Sequence, residues 1–173
     1  MTENERAHET QRTVSGCFTN KIAIITGASR GIGAAVAHLF AQEGATVVLA
    51  VRSEEALAGL VNEITANGGN AIAVKTDVSN AVSMEALVKH TVERYGKLDL
   101  AVNNAGIAGG NTSLAQVSEE LFDRIIAVNL KGTFLALKYE LAAMQASGGG
   151  AIVNVSSTVG LVGNGAGIAI HRQ

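Results

Sequence analysis

Between Thr26 and Gly33 the chain reads Thr26-Gly27-Ala28-Ser29-Arg30-Gly31-Ile32-Gly33, a run whose residue types suit the capture of an anion. It follows a β-branched stretch, Lys21 to Thr26, and precedes a segment of helical period, so it reads as a strand-to-helix turn. There Gly27 permits a tight reversal, Gly31 lets the backbone approach a pyrophosphate, and Gly33 lets the helix pack close to the sheet. The helix's first N–H groups, which have no carbonyl partners, would point at the bound oxygens. Gly27, Ser29, Arg30, Gly31, Ile32 and Gly33 are therefore candidate phosphate-binding residues. Glycines at such a turn also occur for structural reasons alone, and their spacing here differs from the general G-x-G-x-x-G. A P-loop is excluded, because no G-K-[ST] is present.

Three other places carry polar groups that could act with this turn. In a dinucleotide fold the end of the second strand meets the adenosine ribose, and an acidic residue there accepts from its 2'-hydroxyl. Here that place is Val51-Arg52, which has no carboxylate to accept with but can receive the 2'-phosphate of NADP, with Ser53 adding a hydroxyl. NADP is thus favoured over NAD, and an S-adenosylmethionine site, which generally wants a carboxylate there, is disfavoured. Arg52 read blandly is a solvated charge at a strand end. Asn129 lies on a helical stripe with Phe122, Ile126, Thr133 and Leu137, and an amide on an apolar face must find partners. Ser156 and Ser157 end a later apolar run, where serine is otherwise an ordinary turn former.

The elements that would position these groups alternate along the chain. Apolar runs at Lys21–Thr26, Thr46–Val51, Ala71–Lys75, Leu98–Val102 and Ala151–Val155 read as buried strands. Helix-period segments separate them: Ile32, Val36, Leu39 and Phe40 on the first, closed by Gly44, then Leu57, Leu60, Val61 and Ile64 behind a capping Ser53. Two more follow, at about 82–95 and from Ser118 to about Ala146. Repeated β-α-β units predict an α/β fold with a doubly wound parallel sheet. With 173 residues, 47% hydrophobic and 16% charged, the chain suits one globular domain, expected over 19–173 behind a disordered, solvated tail at 1–18. The net charge of -2 gives no electrostatic reason to expect nucleic acid or an anionic membrane. The single cysteine, Cys17, suits a reducing cytoplasm. Residues 141–170 carry no charge, but six glycines between 148 and 165 make them a strand and glycine-rich loop rather than a membrane span.

The glycine turn resembles the T-G-x-x-x-G-x-G of the short-chain dehydrogenase/reductase family, and four further segments match that family in order. They are Asp77-Val78 after the third strand, Asn103-Asn104-Ala105-Gly106 after the fourth, Val128-Asn129-Leu130-Lys131-Gly132 in the long helix, and Ile152 to Ser157. The resemblance covers about residues 18 to 170 and implies a Rossmann fold and a nicotinamide cofactor. It implies hydride transfer to a small-molecule carbonyl or from a secondary alcohol. On this resemblance Asp77 and Val78 meet the adenine, Asn104, Ala105 and Gly106 border the cofactor, and Arg30 joins Arg52 as in NADP-preferring members. Asn129 and Ser157 become the catalytic candidates, the amide supporting a proton-relaying water and the hydroxyl bonding the substrate oxygen. No metal is implied.

The same resemblance places a general-acid Tyr about thirteen residues after Ser157 and a ribose-binding Lys four further on. Ile170 or His171 stands at the first place, and the second falls beyond Gln173. The reading is therefore of a fold C-terminally truncated before the Tyr-x-x-x-Lys motif, with impaired turnover and its fifth strand at a sheet edge. The homo-oligomer that the family suggests would lack its downstream interface helix. Two alternatives stay open, a non-catalytic nucleotide-binding protein and a fragment without function of its own.

Overall fold

The computed structural model describes residues 16–53, 55–110 and 113–157, so Ile170 to Gln173 lie outside the described residues. Strands β1 (Ile22–Thr26), β2 (Thr46–Val51), β3 (Asn70–Lys75), β4 (Leu100–Asn103) and β5 (Ala151–Asn154) alternate with helices α1 (Gly31–Gln42), α2 (Glu55–Ala66), α3 (Ala81–Tyr95), α4 (Glu119–Ile125) and α5 (Gly132–Ala146). The strands form one parallel sheet in the order β3-β2-β1-β4-β5. This is a doubly wound Rossmann-type fold, and the order reverses between β1 and β4, where such sheets open a crevice at their carboxyl ends.

Strand periodicity divides the core in two. Ala23, Ile25, Val47 and Leu49 join a cluster with Ala37 and Ala41 of α1 and Leu57 and Ile64 of α2. Their neighbours Ile24, Val48 and Ala50 join a second cluster with Met84, Leu87 and Val88 of α3 and Leu135 and Met144 of α5. Successive side chains of one strand thus enter opposite layers, and both faces of the sheet are covered.

Three details differ from the sequence reading. Residues 16–18 belong to the folded unit and not to the tail: the Phe18 ring lies 4.5 Å from that of Phe40, and the Phe18 N–H donates to the Glu43 carbonyl. Helix α1 buries Gly33, Ala37 and Ala41, while Ile32 and Leu39 of its larger apolar stripe are each 53% exposed. A helix seated close to a sheet has room there only for small side chains. The long helix is interrupted by a π-helical segment, Ile126–Lys131, between α4 and α5. Its wider turns break the 3.6-residue phase that the stripe assumed: Phe122 is exposed, while Asn129 is buried as its place on the stripe implied.

Candidate active site

The groups singled out in the glycine turn meet those of the other strand ends at the β1/β4 crevice. A cleft of about 600 Å³ is lined by Gly27, Ser29, Arg30, Gly31 and Ile32 from the turn, and by Arg52 after β2. Asp77 and Val78 line it after β3, and Asn104, Ala105 and Gly106 after β4. Among the expected cofactor residues only Gly33 does not line it, because its place is behind the turn. A Cβ on Gly33 would stand 2.5 Å from the Gly27 carbonyl oxygen and 2.6 Å from Asn104 Nδ2.

Gly31 is the opposite case. Its φ is +59°, a left-handed conformation that favours glycine, and a Cβ there would meet nothing within 4 Å. The cradle above it is open, and the residue capping α1, Arg30, is extended with no side-chain bond to the helix's N–H groups. No acidic residue stands in the first turn. Unspent donors facing an open cradle fit an anionic group of dinucleotide size.

The turn is held by a lattice of bonds that the sequence does not reveal. The buried Thr26 hydroxyl accepts from the N–H of Asn104 and of Ala105, both at 3.0 Å. Asn104 Nδ2 returns hydrogen bonds to the carbonyls of Thr26 and Gly27 at 3.2 and 3.1 Å. Asn104 therefore braces the β1 and β4 ends against each other as well as lining the cleft. Its Oδ1 is buried without a partner among the described residues.

Asp77 sits at the far wall with its carboxylate committed locally. Oδ1 accepts from the Ser79 N–H at 3.0 Å and from the Ser79 hydroxyl at 2.7 Å, while the Asp77 N–H donates to Ser83 Oγ. The Ser79 hydroxyl bond chiefly holds its carboxyl below the usual range against the opposing effect of burial, with Arg52 and Lys131 adding smaller electrostatic help. Arg52 thus stands close enough to Asp77 for its charge to be felt across the cleft. Val78 is pressed against Gly132, whose Cβ would lie 3.1 Å from Val78 Cγ2.

The two catalytic candidates are not among the residues that line the cleft. Asn129, 4% exposed in the π-helical segment, spends its amide on one residue: Oδ1 accepts from the Ile107 N–H and Nδ2 donates to the Ile107 carbonyl, both at 2.9 Å. Its own carbonyl accepts from the Thr133 hydroxyl at 2.7 Å. Ser157 is half-buried three residues past the end of β5. Sequence reasoning missed Thr26, Ile107 and Arg124, of which the last two line the cleft. It also missed Glu140, a fully buried acid on α5. Only its place as the one acid of α5, two residues after Lys138, hinted at it.

Residues 21–169 match the family model described as short chain dehydrogenase. The chain belongs to the short-chain dehydrogenase family. It is 50% identical over 148 residues to an A-factor type gamma-butyrolactone 1'-reductase (1S-forming) from Streptomyces virginiae, covering 85% of this chain and 58% of that one. It is 44% identical over 153 residues to a cyclohexanol dehydrogenase from an Acinetobacter species, covering 88% and 61%. A crystal structure of a short-chain dehydrogenase/reductase from Burkholderia xenovorans superposes with a TM-score of 0.85 at 35% identity, over 90% of this chain and 63% of that one. The chain therefore spans about three fifths of the relatives it matches. Family members are oxidoreductases that bind NAD(P), which agrees with the fit of the cleft. No helix among the described residues is long and apolar enough to cross a membrane, and they hold no group of three or more acid, His or Cys side chains placed to hold a metal ion.

Proposed function

We propose that this chain forms the dinucleotide-binding portion of an NADP(H)-dependent oxidoreductase acting on a carbonyl or secondary-alcohol substrate. The observation that carries the cofactor choice is Arg52, placed at the cleft rim directly after β2, where a carboxylate would select the free ribose hydroxyl. With Arg30 it supplies two cations for a 2'-phosphate, and a guanidinium binds phosphate oxygens in a bidentate fork.

When bound, the nicotinamide supplies or accepts the hydride. This chain's own residues bind and orient: the Gly31 cradle and the α1 N-terminus hold the pyrophosphate, and Asp77 and Val78 hold the adenine. Asn104 to Gly106, fixed by Thr26, form the wall along the nicotinamide half. Ser157 is assigned to the substrate oxygen, and Asn129 fixes the Ile107 segment beside it through both backbone groups. With Ile170 or His171 standing in the family's Tyr place after Ser157, the 173 residues by themselves are proposed to bind dinucleotide without efficient turnover.

Fluorescence titration with NADPH and NADH tests the binding reading. NADPH is expected to bind more tightly by at least about tenfold, and equal affinities would overturn the NADP assignment. A parallel assay with a generic diketone is expected to show little NADPH oxidation. Turnover at an ordinary dehydrogenase rate would overturn the second statement alone.

A further inference from the structure

Glu140 lies in the middle of α5 with 0% of its surface exposed, and nothing in the cleft uses it. Its Oε2 accepts from Asn103 Nδ2 at 2.9 Å, and the same nitrogen donates its other hydrogen to Asn154 Oδ1 at 3.1 Å. Asn103 ends β4 and Asn154 ends β5, and the two are in register across the sheet. One acid on a helix thus meets the last residue of β4, which in turn bonds the last residue of β5. The next residues along those strands are Asn104, which braces the glycine turn, and the Val155-Ser156-Ser157 stretch.

Two atoms of this cluster are buried without a partner, Glu140 Oε1 and Asn103 Oδ1. With Glu140 ionised both are acceptors, and nothing among the described residues satisfies either. Buried polar atoms left this way are expensive, and a buried carboxylate with one neutral partner more so. One proton resolves both. A proton on Oε1 would let it donate to Oδ1 while Nδ2–H donates to Oε2, the ring that a carboxylic acid makes with a primary amide.

We propose that Glu140 is held as a neutral carboxylic acid and is a positioning residue, a proton-dependent clamp that ties α5 to the ends of β4 and β5. It touches neither cofactor nor substrate; it sets the spacing between the Asn104 wall and the Ser157 turn. Burial pushes its carboxyl up from 4.5 to about 7, with the Asn103 bond pulling the other way. The neighbouring charges do not enter. β1, β4 and β5 carry none, and Glu85, Lys89 and Glu93 of α3 line a separate groove beside Tyr139. Lys131 acts on Asp77, and Lys138 stands over the Tyr139 ring.

The sign follows from the raised value. The folded chain holds a proton that the unfolded chain releases near 4.5, so this contribution is complete below 4.5 and is lost as pH rises to about 7. Glu140→Gln keeps the ring, with an amide N–H in place of the acid O–H, and cannot titrate. Melting of the chain and of this variant is expected to diverge by roughly 5 to 10 °C between pH about 5 and about 8, the wild type falling relative to the variant. In the wild type an infrared carboxylic-acid band below the folded titration point is expected, absent from Glu140→Gln. Parallel melting curves, or no such band, would overturn the proposal.

NADPH affinity supplies the positioning readout and rests on the proposed dinucleotide site. It is expected to fall several-fold with rising pH in the wild type and to stay level, after correction for shared pH effects, in Glu140→Gln. Level wild-type affinity would remove the positioning role. Absence of NADPH binding in both proteins at every pH would instead overturn the cofactor reading, leaving melting and infrared to decide the protonation of Glu140.

Discussion

Asn129 and Ile107 are joined as an amide to a peptide, each side-chain atom meeting one backbone group of the same residue at 2.9 Å. Ile107 lines the cleft, so a residue in the π-helical segment fixes the backbone that follows the Asn104–Gly106 wall. Only a side chain with one donor and one acceptor at fixed separation can do this. Asn129→Ala leaves both Ile107 groups to find other partners, which is expected to cost about 1–3 kcal/mol in urea unfolding. Asn129→Asp is expected to rescue little, because its second oxygen would oppose the Ile107 carbonyl. An alanine variant within about 0.5 kcal/mol of wild type would refute the brace.

The two glycines at the start of α1 are expected to fail differently. Gly33→Ala drives a Cβ into the Gly27 carbonyl and Asn104 Nδ2, so it should destabilise the fold by about 1–3 kcal/mol as overpacking does. Gly31→Ala meets no atom and carries only left-handed backbone strain of about 1–2 kcal/mol, yet it fills the anion cradle. Its thermal melt should remain cooperative while NADPH binding is lost. Retained binding in Gly31→Ala would place the phosphates elsewhere.

Arg52→Asp tests the cofactor preference. Removing a charge-assisted partner of a phosphate is expected to weaken NADPH by about 10- to 100-fold, while NADH gains a carboxylate for its ribose hydroxyl and changes little or improves. Arg52 is exposed, so melting should hardly move. Equal losses for both nucleotides would mean that Arg52 supports the cleft without selecting between them.

At the other end of the sheet Asp99 ties β1 to the turn before β4. Oδ2 accepts from the Ile22 N–H at 2.9 Å, and the Lys97 and Lys21 ammonium groups lie 2.9 and 3.2 Å from the carboxylate. Burial alone would raise its pKa; the Ile22 bond and the two lysines outweigh that and leave it below the usual value. A lowered value means that its stabilisation is present above about 3.8 and is lost as pH falls through the folded titration point. Asp99→Asn should therefore cost about 1–2 kcal/mol near neutrality, with the difference from wild type shrinking in acid. A difference that stays constant down to the acid transition would contradict this.

The five strands and the places of the glycine turn, Arg52, Asp77 and the Asn104 segment were legible because each is a local signal. Buried parallel strands read as short apolar runs, and a strand-to-helix turn announces itself in glycines. The π-helical segment was not legible. Ile126 to Lys131 has ordinary helical composition, so no local preference marks its wider turn. The stripe Ile32, Val36, Leu39 and Phe40 located the buried side of α1 only in part: Val36 and Phe40 pack against the core, while Ile32 and Leu39 are exposed. Apolar side chains mark where burial is affordable, whereas close approach of backbone to backbone selects Gly33, Ala37 and Ala41.

The sequence by itself determined the alternation of strands and helices and the residue types at each strand end, because propensity, periodicity and turn chemistry act over a few neighbours. Only the tertiary structure decided which polar groups answer one another. Thr26 meets Asn104 and Ala105 across 78 and 79 positions of chain, Asn129 meets Ile107 across 22, and Glu140 meets Asn103 across 37. Such pairings arise when a parallel sheet brings the ends of β1, β4 and β5 side by side, and no spacing along the chain records them.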